Sequence, residues 1–105
     1  EGGKGLSGGQ RQLVGLTRLL LARPKVMLLD EPTASMDTRL EEFVMNHLFE
    51  QLPDDSVIVL ATHKAGVLKH VNRIVVMDSG RVTLDGPKQE VLDYLAEQAK
   101  KRGAK

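Results

Sequence analysis

Two acidic side chains directly follow an apolar run in the segment VMLLDEP, residues 26–32. Neighbouring side chains in an extended backbone point to opposite faces, so Asp30 and Glu31 can divide two roles between them. One carboxylate can face a divalent cation while the other faces a reacting water. This division suits the hydrolysis of a nucleotide bound with Mg²⁺. The alternative is a polar strand end that only caps the next segment.

A histidine closes the next apolar run in a corresponding way. The run VIVLA, residues 57–61, is followed two positions later by His63. Ligands of open α/β sheets bind beyond the carboxyl ends of the strands, so we expect Asp30, Glu31 and His63 to gather at one edge. An ordinary surface histidine is the alternative reading of His63 taken alone.

Two glycines follow a serine near the start of the chain, in LSGGQ at residues 6–10. Ser7 and Gln10 match a capping box, which places Gly8 and Gly9 in the first turn of a helix. The unpaired N–H groups and partial positive charge of a helix start favour an anion, and glycine lets it approach the backbone closely. The segment therefore predicts a phosphate clamp. A simple N-cap with a flexible entry loop is equally compatible with the capping box.

Helical patterns surround these segments. Apolar residues recur at three-to-four spacing from Ser7 until Pro24. Asp37 is the expected N-cap of a second helix that stops before Pro53, and Pro87 opens a final helix. The side chains expected on the buried faces are Leu13, Leu16, Leu19 and Leu20 in the first helix, Leu40, Phe43, Val44 and Leu48 in the second, and Val91, Leu92 and Leu95 in the third.

The strand patterns complete the prediction of fold class. Residues 26–29 and 57–61 are apolar without alternation, which is typical of strands buried on both faces in a parallel sheet. Residues 74–77 and 82–84 flank a Ser-Gly turn and predict a hairpin. Strands alternating with helices predict an α/β fold with a mainly parallel sheet, flanking helices and a terminal β-hairpin.

Composition excludes several classes of protein. The chain has 105 residues, about one domain, and its 15 basic and 14 acidic residues give a net charge of +1, so no global field steers it to nucleic acid or anionic lipid. It contains no cysteine, and its apolar runs are far shorter than the roughly 20 residues of a membrane helix. The start EGGKG lacks a signal-peptide pattern and an initiating methionine, and we expect the chain to be part of a longer one.

Four motifs in order resemble the nucleotide-binding domain of ATP-binding cassette (ABC) proteins. They are LSGGQ at residues 6–10, VMLLDEP at 26–32, SMD at 35–37 and ATH at 61–63. The resemblance covers essentially the whole chain and implies part of a P-loop ATPase fold. The fuller segments GLSGGQRQLVGLTRLLLARP and DEPTASMD are most similar to exporters of the bacterial type I secretion kind.

One motif of that family is missing. The phosphate loop G-x-x-x-x-G-K-[ST] does not occur, because the glycines and lysine at residues 2–5 have neither its spacing nor its hydroxyl. The resemblance then implies that residues 1–105 are the C-terminal part of one ATPase domain. Residues 1–23 would end the helical subdomain with the signature motif, and residues 24–105 would form part of the catalytic core. The chain alone is expected to be inactive, whereas the complete domain hydrolyses ATP.

The resemblance also implies a role for each motif residue, with ATP and Mg²⁺ as ligands. Glu31 would orient and polarise the attacking water, and His63 would hold the γ-phosphate and the geometry around Glu31. Asp30 would support Mg²⁺ through water. In a head-to-tail dimer, the signature motif would act in trans on ATP held by the second nucleotide-binding domain. The nucleotide-binding residues implied in trans are Ser7, Gly8, Gly9, Gln10 and Asp37.

The implied function is ATP hydrolysis that powers membrane export, with a protein as the substrate of type I secretion. The implied partners are the second nucleotide-binding domain and the transporter's transmembrane domain, with no nucleic acid. The implied location is the cytoplasmic face of the bacterial inner membrane, with this chain itself soluble. One alternative is an ATPase of DNA repair or chromosome structure, which the absence of a basic stripe with interleaved aromatics disfavours. Another is a non-hydrolysing dimerisation module, which the missing phosphate loop supports.

Overall fold

The chain divides into two compact units, residues 1–70 and 71–105. A computed structural model describes residues 7–103. Leu6 of the LSGGQ motif, the glycine and lysine cluster at residues 2–5 and the last two residues lie outside that range. The first unit contains helix α1 (Gly8–Ala22), strand β1 (Val26–Asp30), helix α2 (Thr38–Gln51), strand β2 (Val57–Ala61) and a 3₁₀-helix (Ala65–His70). The second contains strands β3 (Arg73–Asp78) and β4 (Arg81–Pro87) and helix α3 (Lys88–Gly103).

Both ends of α1 lie where the sequence predicts them. Ser7 is the N-cap: its Oγ accepts from the Gln10 N–H at 3.1 Å, and Gln10 Oε1 accepts from the Ser7 N–H at 2.9 Å. These reciprocal bonds confirm the capping box. At the other end Arg23 takes a left-handed conformation with φ 51°, and its N–H donates to the Leu20 carbonyl. This cap ends the helix directly before Pro24.

Strands β1 and β2 pair in parallel with a register from Val26↔Val57 to Asp30↔Ala61, so both strands end level. Met27 and Leu29 point into the core. The expectation of burial on both faces is wrong for the other face, whose side chains are exposed in both strands. Its four apolar side chains, Val26, Leu28, Val57 and Val59, are 54–75% exposed.

The core of the first unit lies between the strand pair and the two helices. Asp37 is the N-cap of α2, since its Oδ1 accepts from the Leu40 N–H at 2.8 Å. The helix then presents positions 41, 44, 45 and 48 inward at helical spacing, so Phe43 is exposed, contrary to expectation. Leu13 of α1 is likewise exposed. The buried core residues are Leu16, Met27, Leu29, Met36, Val44, Met45, Leu48 and Val67.

The second unit is a hairpin followed by a helix. Strands β3 and β4 pair antiparallel around Ser79 and Gly80, which both have positive φ, 51° and 77°. Two such residues form the two-residue turn whose twist matches that of paired strands. Helix α3 buries Val91 but leaves Leu95 exposed, which corrects the expectation for Leu95.

The predicted fold class, helices with a parallel strand pair and a terminal hairpin, is confirmed. Within residues 7–103 each sheet has two strands, so the hairpin forms a sheet of its own and does not extend the parallel one. No helix in this range is long and apolar enough to cross a membrane.

Candidate functional site

The carboxylate of Glu31 lies at the edge where β1 and β2 end. Its Oε1 accepts a hydrogen bond from the main-chain N–H of His63 at 3.0 Å, and the His63 ring Nε2 lies 3.8 Å from the same oxygen. The His63 side chain is 99% exposed and that of Glu31 is 32% exposed. The structure thus brings Glu31 and His63 together, as expected from the level strand ends, and leaves the imidazole open to a ligand.

The backbone of Glu31 turns the chain sharply out of β1. Its φ is 46°, a left-handed conformation that costs a residue with a Cβ roughly 1–2 kcal/mol. The Glu31 N–H donates to the Ala61 carbonyl at 2.7 Å, and its carbonyl accepts from the Ala34 N–H at 3.2 Å. Surrounding contacts therefore hold a conformation that the isolated residue would seldom adopt.

Asp30 is the last residue of β1, in register with Ala61, and its side chain lies on the exposed outer face. Carboxylate oxygens are the ligands that Mg²⁺ prefers, and proteins commonly hold this ion with one or two carboxylates together with substrate phosphates. Within residues 7–103 no three His, Asp or Glu side chains converge as a metal site. An exposed carboxylate such as that of Asp30 can supply one ligand to Mg²⁺ when water and a nucleotide supply the others.

The tip of α1 is open at Ser7 and Gly8 and buried at Gly9. The Ser7 Oγ accepts from Gln10, which leaves its hydroxyl hydrogen able to donate. A Cβ added to Gly8 would lie 2.9 Å from the Ser35 Cβ and Oγ, and one added to Gly9 would lie 3.1 Å from the Ser35 carbonyl. The lack of a side chain at Gly8 and Gly9 therefore also lets Ser35 pack closely against the tip of α1. The sequence alone did not reveal this second role of the glycines.

We call residues 31–37 the strand-end loop. Lys64, directly after His63, fixes the middle of this loop: its Nζ donates to the carbonyls of Thr33 at 2.7 Å and Met36 at 3.2 Å. The same Nζ lies 3.0 Å from Glu41 Oε2, which also accepts from the Thr33 hydroxyl at 2.7 Å. Loop, strand end and α2 thus share one polar network.

The carboxylate of Glu41 is the buried member of that network, at 6% exposure. Burial by itself raises the pKa of Glu41, but the hydrogen bonds from Thr33 and Lys64 and the Lys64 charge outweigh it. The pKa of Glu41 therefore lies below its ordinary value of 4.5, and the group is charged at neutral pH. Sequence reasoning missed Glu41 and Lys64 because each looks like an exposed residue in its own segment.

The loop is also held from the side of α1. Gln12 contacts it at two main-chain groups, Glu31 O and Ser35 N. Asp37 closes the loop as the exposed N-cap of α2, which leaves one carboxylate oxygen beyond the cap bond to Leu40. The described residues thus present a carboxylate anchored by a hydrogen bond and an exposed imidazole at the strand edge, and a capped helix start at the tip of α1.

Known proteins resemble this chain along most of its length. The family model described as ABC transporter matches residues 1–34. The alpha-hemolysin translocation ATP-binding protein HlyB of Escherichia coli O157:H7 is 37% identical over 92 residues, which are 88% of this chain and 13% of that protein. The ATP-dependent lipid A-core flippase of Xanthomonas campestris pv. campestris is 38% identical over 92 residues, 88% of this chain and 15% of the flippase. The chain thus spans about one seventh of the length of these curated relatives.

Solved structures give the same similarity in three dimensions. A dimeric, post-hydrolysis state of the ATP-binding cassette MJ0796 bound to ADP and Pi superposes with a TM-score of 0.71 at 32% identity, over 79% of this chain and 36% of that one. The ADP conformation of MJ1267, an ATP-binding cassette of an ABC transporter, gives 0.70 at 29% identity, over 87% and 37%.

Proposed function

The chain belongs to the ABC transporter family, and from that premise we propose that it is the C-terminal part of one ATP-hydrolysing cassette domain. Residues 1–23 end the helical subdomain that carries the signature motif, and residues 24–105 belong to the catalytic core. The exposed apolar outer face of β1 and β2 supports this proposal, because helices of a larger domain would cover the face of a parallel sheet. The complete domain binds and hydrolyses ATP.

One observation carries the proposed chemistry: the Glu31 carboxylate is anchored through Oε1 to the His63 N–H at 3.0 Å. Phosphoryl transfer depends mainly on positioning and charge neutralisation, so a fixed carboxylate can orient the attacking water through its second oxygen. The exposed His63 ring holds the γ-phosphate beside it. Asp30 would hold Mg²⁺, which neutralises charge on the phosphates when bound.

The remaining motif residues act across a dimer in this proposal. Ser7, Gly8, Gly9 and Gln10 form a helix start, exposed except at Gly9, whose positive end and Ser7 hydroxyl face the γ-phosphate held by a second nucleotide-binding domain. Asp37 approaches the same site. The dimeric state of the similar cassette with ADP and Pi supports the pairing of two such domains, for which we propose a head-to-tail arrangement.

We propose membrane export as the work that this hydrolysis powers, with a transmembrane domain as the further partner at the cytoplasmic face of the bacterial inner membrane. HlyB and the lipid A-core flippase are both transport proteins by name, which supports transport over DNA repair. A protein substrate of type I secretion is our first candidate, because the translocation protein HlyB matches over 92 residues at 37% identity. A lipid is the second, because the lipid A-core flippase matches equally well.

Glu31→Gln in the complete transporter tests the assignment of the catalytic carboxylate. The neutral amide keeps the shape but loses the charge that polarises water, so we expect the ATP turnover rate to fall at least about 100-fold while ATP binding is retained. Steady-state phosphate release and nucleotide binding are the measurements. His47→Gln, an exposed change in α2, is the control and keeps normal turnover. Near-normal turnover of Glu31→Gln would refute the assignment.

Two further measurements address the larger proposal. The 105-residue chain is expected to bind ATP feebly because it lacks a phosphate loop, so tight stoichiometric binding in calorimetry would contradict its status as a partial domain.

Stimulation of the complete transporter's ATPase by an unfolded protein substrate, and not by lipid A-core, supports protein export. The reverse pattern supports the flippase candidate.

A further inference from the structure

Gln12 lies one turn beyond the tip of α1, and its side-chain amide spans the gap to the strand-end loop. Its Nε2–H donates to the Glu31 carbonyl at 3.0 Å, and its Oε1 accepts from the Ser35 N–H at 2.9 Å. A carbonyl cannot donate and an N–H cannot accept, so only this orientation of the amide satisfies both loop groups. The side chain is thus a two-point clamp on main chain 19 and 23 residues away.

The first clamped group belongs to the residue whose conformation is the least usual in the loop. Glu31 is left-handed at φ 46°, and its N–H is already fixed by the Ala61 carbonyl. The Gln12 bond fixes the carbonyl end of the same residue. Since the direction of a side chain follows from its backbone conformation, Gln12 helps to aim the Glu31 carboxylate at the strand edge.

The second clamped group belongs to the residue that touches the tip of α1. Ser35 packs so closely on Gly8 and Gly9 that a Cβ at either position would meet it at 2.9 or 3.1 Å. Gln12 holds the N–H of this same residue. The helix tip and the strand-end loop are therefore fixed to each other at Ser35 and at Glu31.

We propose that Gln12 is a positioning residue that holds the Glu31 carboxylate at a fixed distance from the tip of α1. This inference rests on the proposed function, in which the tip acts on ATP across the dimer while Glu31 acts in the nucleotide site of its own subunit. Gln12 then links the two nucleotide sites within one subunit. Closure of the tip on one ATP is transmitted through Gln12 to the carboxylate that serves the other.

The clamp itself is tested on the 105-residue chain, independently of any ATPase activity. Amide hydrogen exchange at Ser35 is measured by NMR in the unmodified chain, in Gln12→Ala and in Gln12→Glu. We expect exchange at Ser35 to rise about tenfold in Gln12→Ala, which removes the acceptor, and to stay nearly unchanged in Gln12→Glu, which keeps it. The near-isosteric Gln12→Glu also provides a folded variant if Gln12→Ala does not fold. Unchanged exchange at Ser35 in a folded Gln12→Ala, or loss of protection in Gln12→Glu, would overturn the clamp.

The positioning role is tested in the complete transporter by separating kcat from KM. We expect Gln12→Ala and Gln12→Glu each to lower kcat about tenfold and to flatten the cooperative dependence on ATP, with less than about a twofold change in KM. Both lose the donor to Glu31. Gln89→Ala removes an exposed amide from α3 and Val44→Ala destabilises the core, so neither control should change the cooperativity. A fall in kcat no larger than that of Val44→Ala would refute the role.

An unmodified transporter without ATPase activity would contradict the proposed function, while the exchange experiment would still decide the clamp.

Discussion

The strand-end loop and the hairpin turn both reverse or redirect the chain after a strand, but different contacts stabilise them. Each follows a strand and contains left-handed residues, Glu31 in the loop and Ser79 with Gly80 in the turn. The turn is fixed by its neighbours, because β3 and β4 pair immediately on either side of it. The loop is fixed by side chains from other elements. The loop to which we assign chemistry is thus held by distant residues, whereas the hairpin turn is held by its adjacent strands.

The charges of the two regions differ in the same sense. In the loop network the Glu41 carboxylate is buried and shared between Thr33 and Lys64. In the hairpin, Arg73 makes two exposed hydrogen bonds to Asp85, at 2.8 and 2.7 Å, across the paired strands. Water and salt screen the exposed pair far more than the buried one. Substitutions in the loop network should therefore have the larger effects.

Lys64→Met is the strongest challenge to the loop. It leaves the buried Glu41 charge and the carbonyls of Thr33 and Met36 without their cation, and we expect a loss of about 2–3 kcal/mol in the free energy of unfolding. Urea denaturation measures this value. The control Lys69→Met removes an exposed pair with Glu42 at 3.9 Å and should change stability by less than about 0.5 kcal/mol. Equal losses in the two variants would contradict the assigned network.

Alanine substitutions at two glycines of α1 distinguish the effect of close packing against Ser35 from the effect of helix propensity on stability. Gly8→Ala places a Cβ against Ser35, and we expect a loss of about 1 kcal/mol in the free energy of unfolding. Gly15→Ala meets nothing within 4 Å and should gain about 0.5–1 kcal/mol. Ser35→Gly should recover part of the loss in a double-mutant cycle with Gly8→Ala. An increase in the free energy of unfolding for both alanine variants would show that Ser35 can move to accommodate a Cβ at Gly8 without cost.

Acid weakens the loop network through the carboxylate of Glu41. The pKa of Glu41 in the folded chain lies below its ordinary value of 4.5, so its contribution is complete above that value and is lost as the pH falls through the folded pKa. We expect the unfolding free energy of the unmodified chain to fall more steeply below about pH 5 than that of Glu41→Gln. Parallel pH profiles of the two chains would exclude this linkage.

The smallest effect is expected in the hairpin. The hydrogen bond from Arg73 holds the pKa of Asp85 below its ordinary 3.8 against the opposing effect of desolvation, and the charge of Arg73 lowers it further. In an NMR titration, Arg73→Met should return the pKa of Asp85 toward that value, and added salt should do so partly. The thermal midpoint should hardly change in either case. A large fall in the midpoint would mean that the hairpin, like the loop, depends on its charged side chains.

Local signals in the sequence predict much of this fold. The structure contains both predicted helix N-caps, each formed between residues three positions apart. They join Ser7 to Gln10 and Asp37 to Leu40. The meeting of Glu31 and His63 was predictable because parallel strands of equal length end at one edge.

What the sequence could not show depends on distant partners. Gln12 and Lys64 bond to main chain 19–31 residues away, and nothing in their own segments distinguishes them from exposed polar residues. The exposed outer face of β1 and β2 was missed because an apolar run reports a preference for burial and says nothing of what covers it.

Because β1 and β2 end level at the edge that carries Glu31 and His63, the turn before β2 lies at the opposite end of the strands and can accept an insertion. The connection from α2 back to β2 turns at Pro53, where the Ser56 N–H and hydroxyl both bond to the Pro53 carbonyl. This exposed turn precedes the amino end of β2, a strand's length from the edge that carries Glu31 and His63. A fluorescent label or short epitope inserted at Asp54 would therefore report on the protein without touching the strand edge at Glu31 and His63.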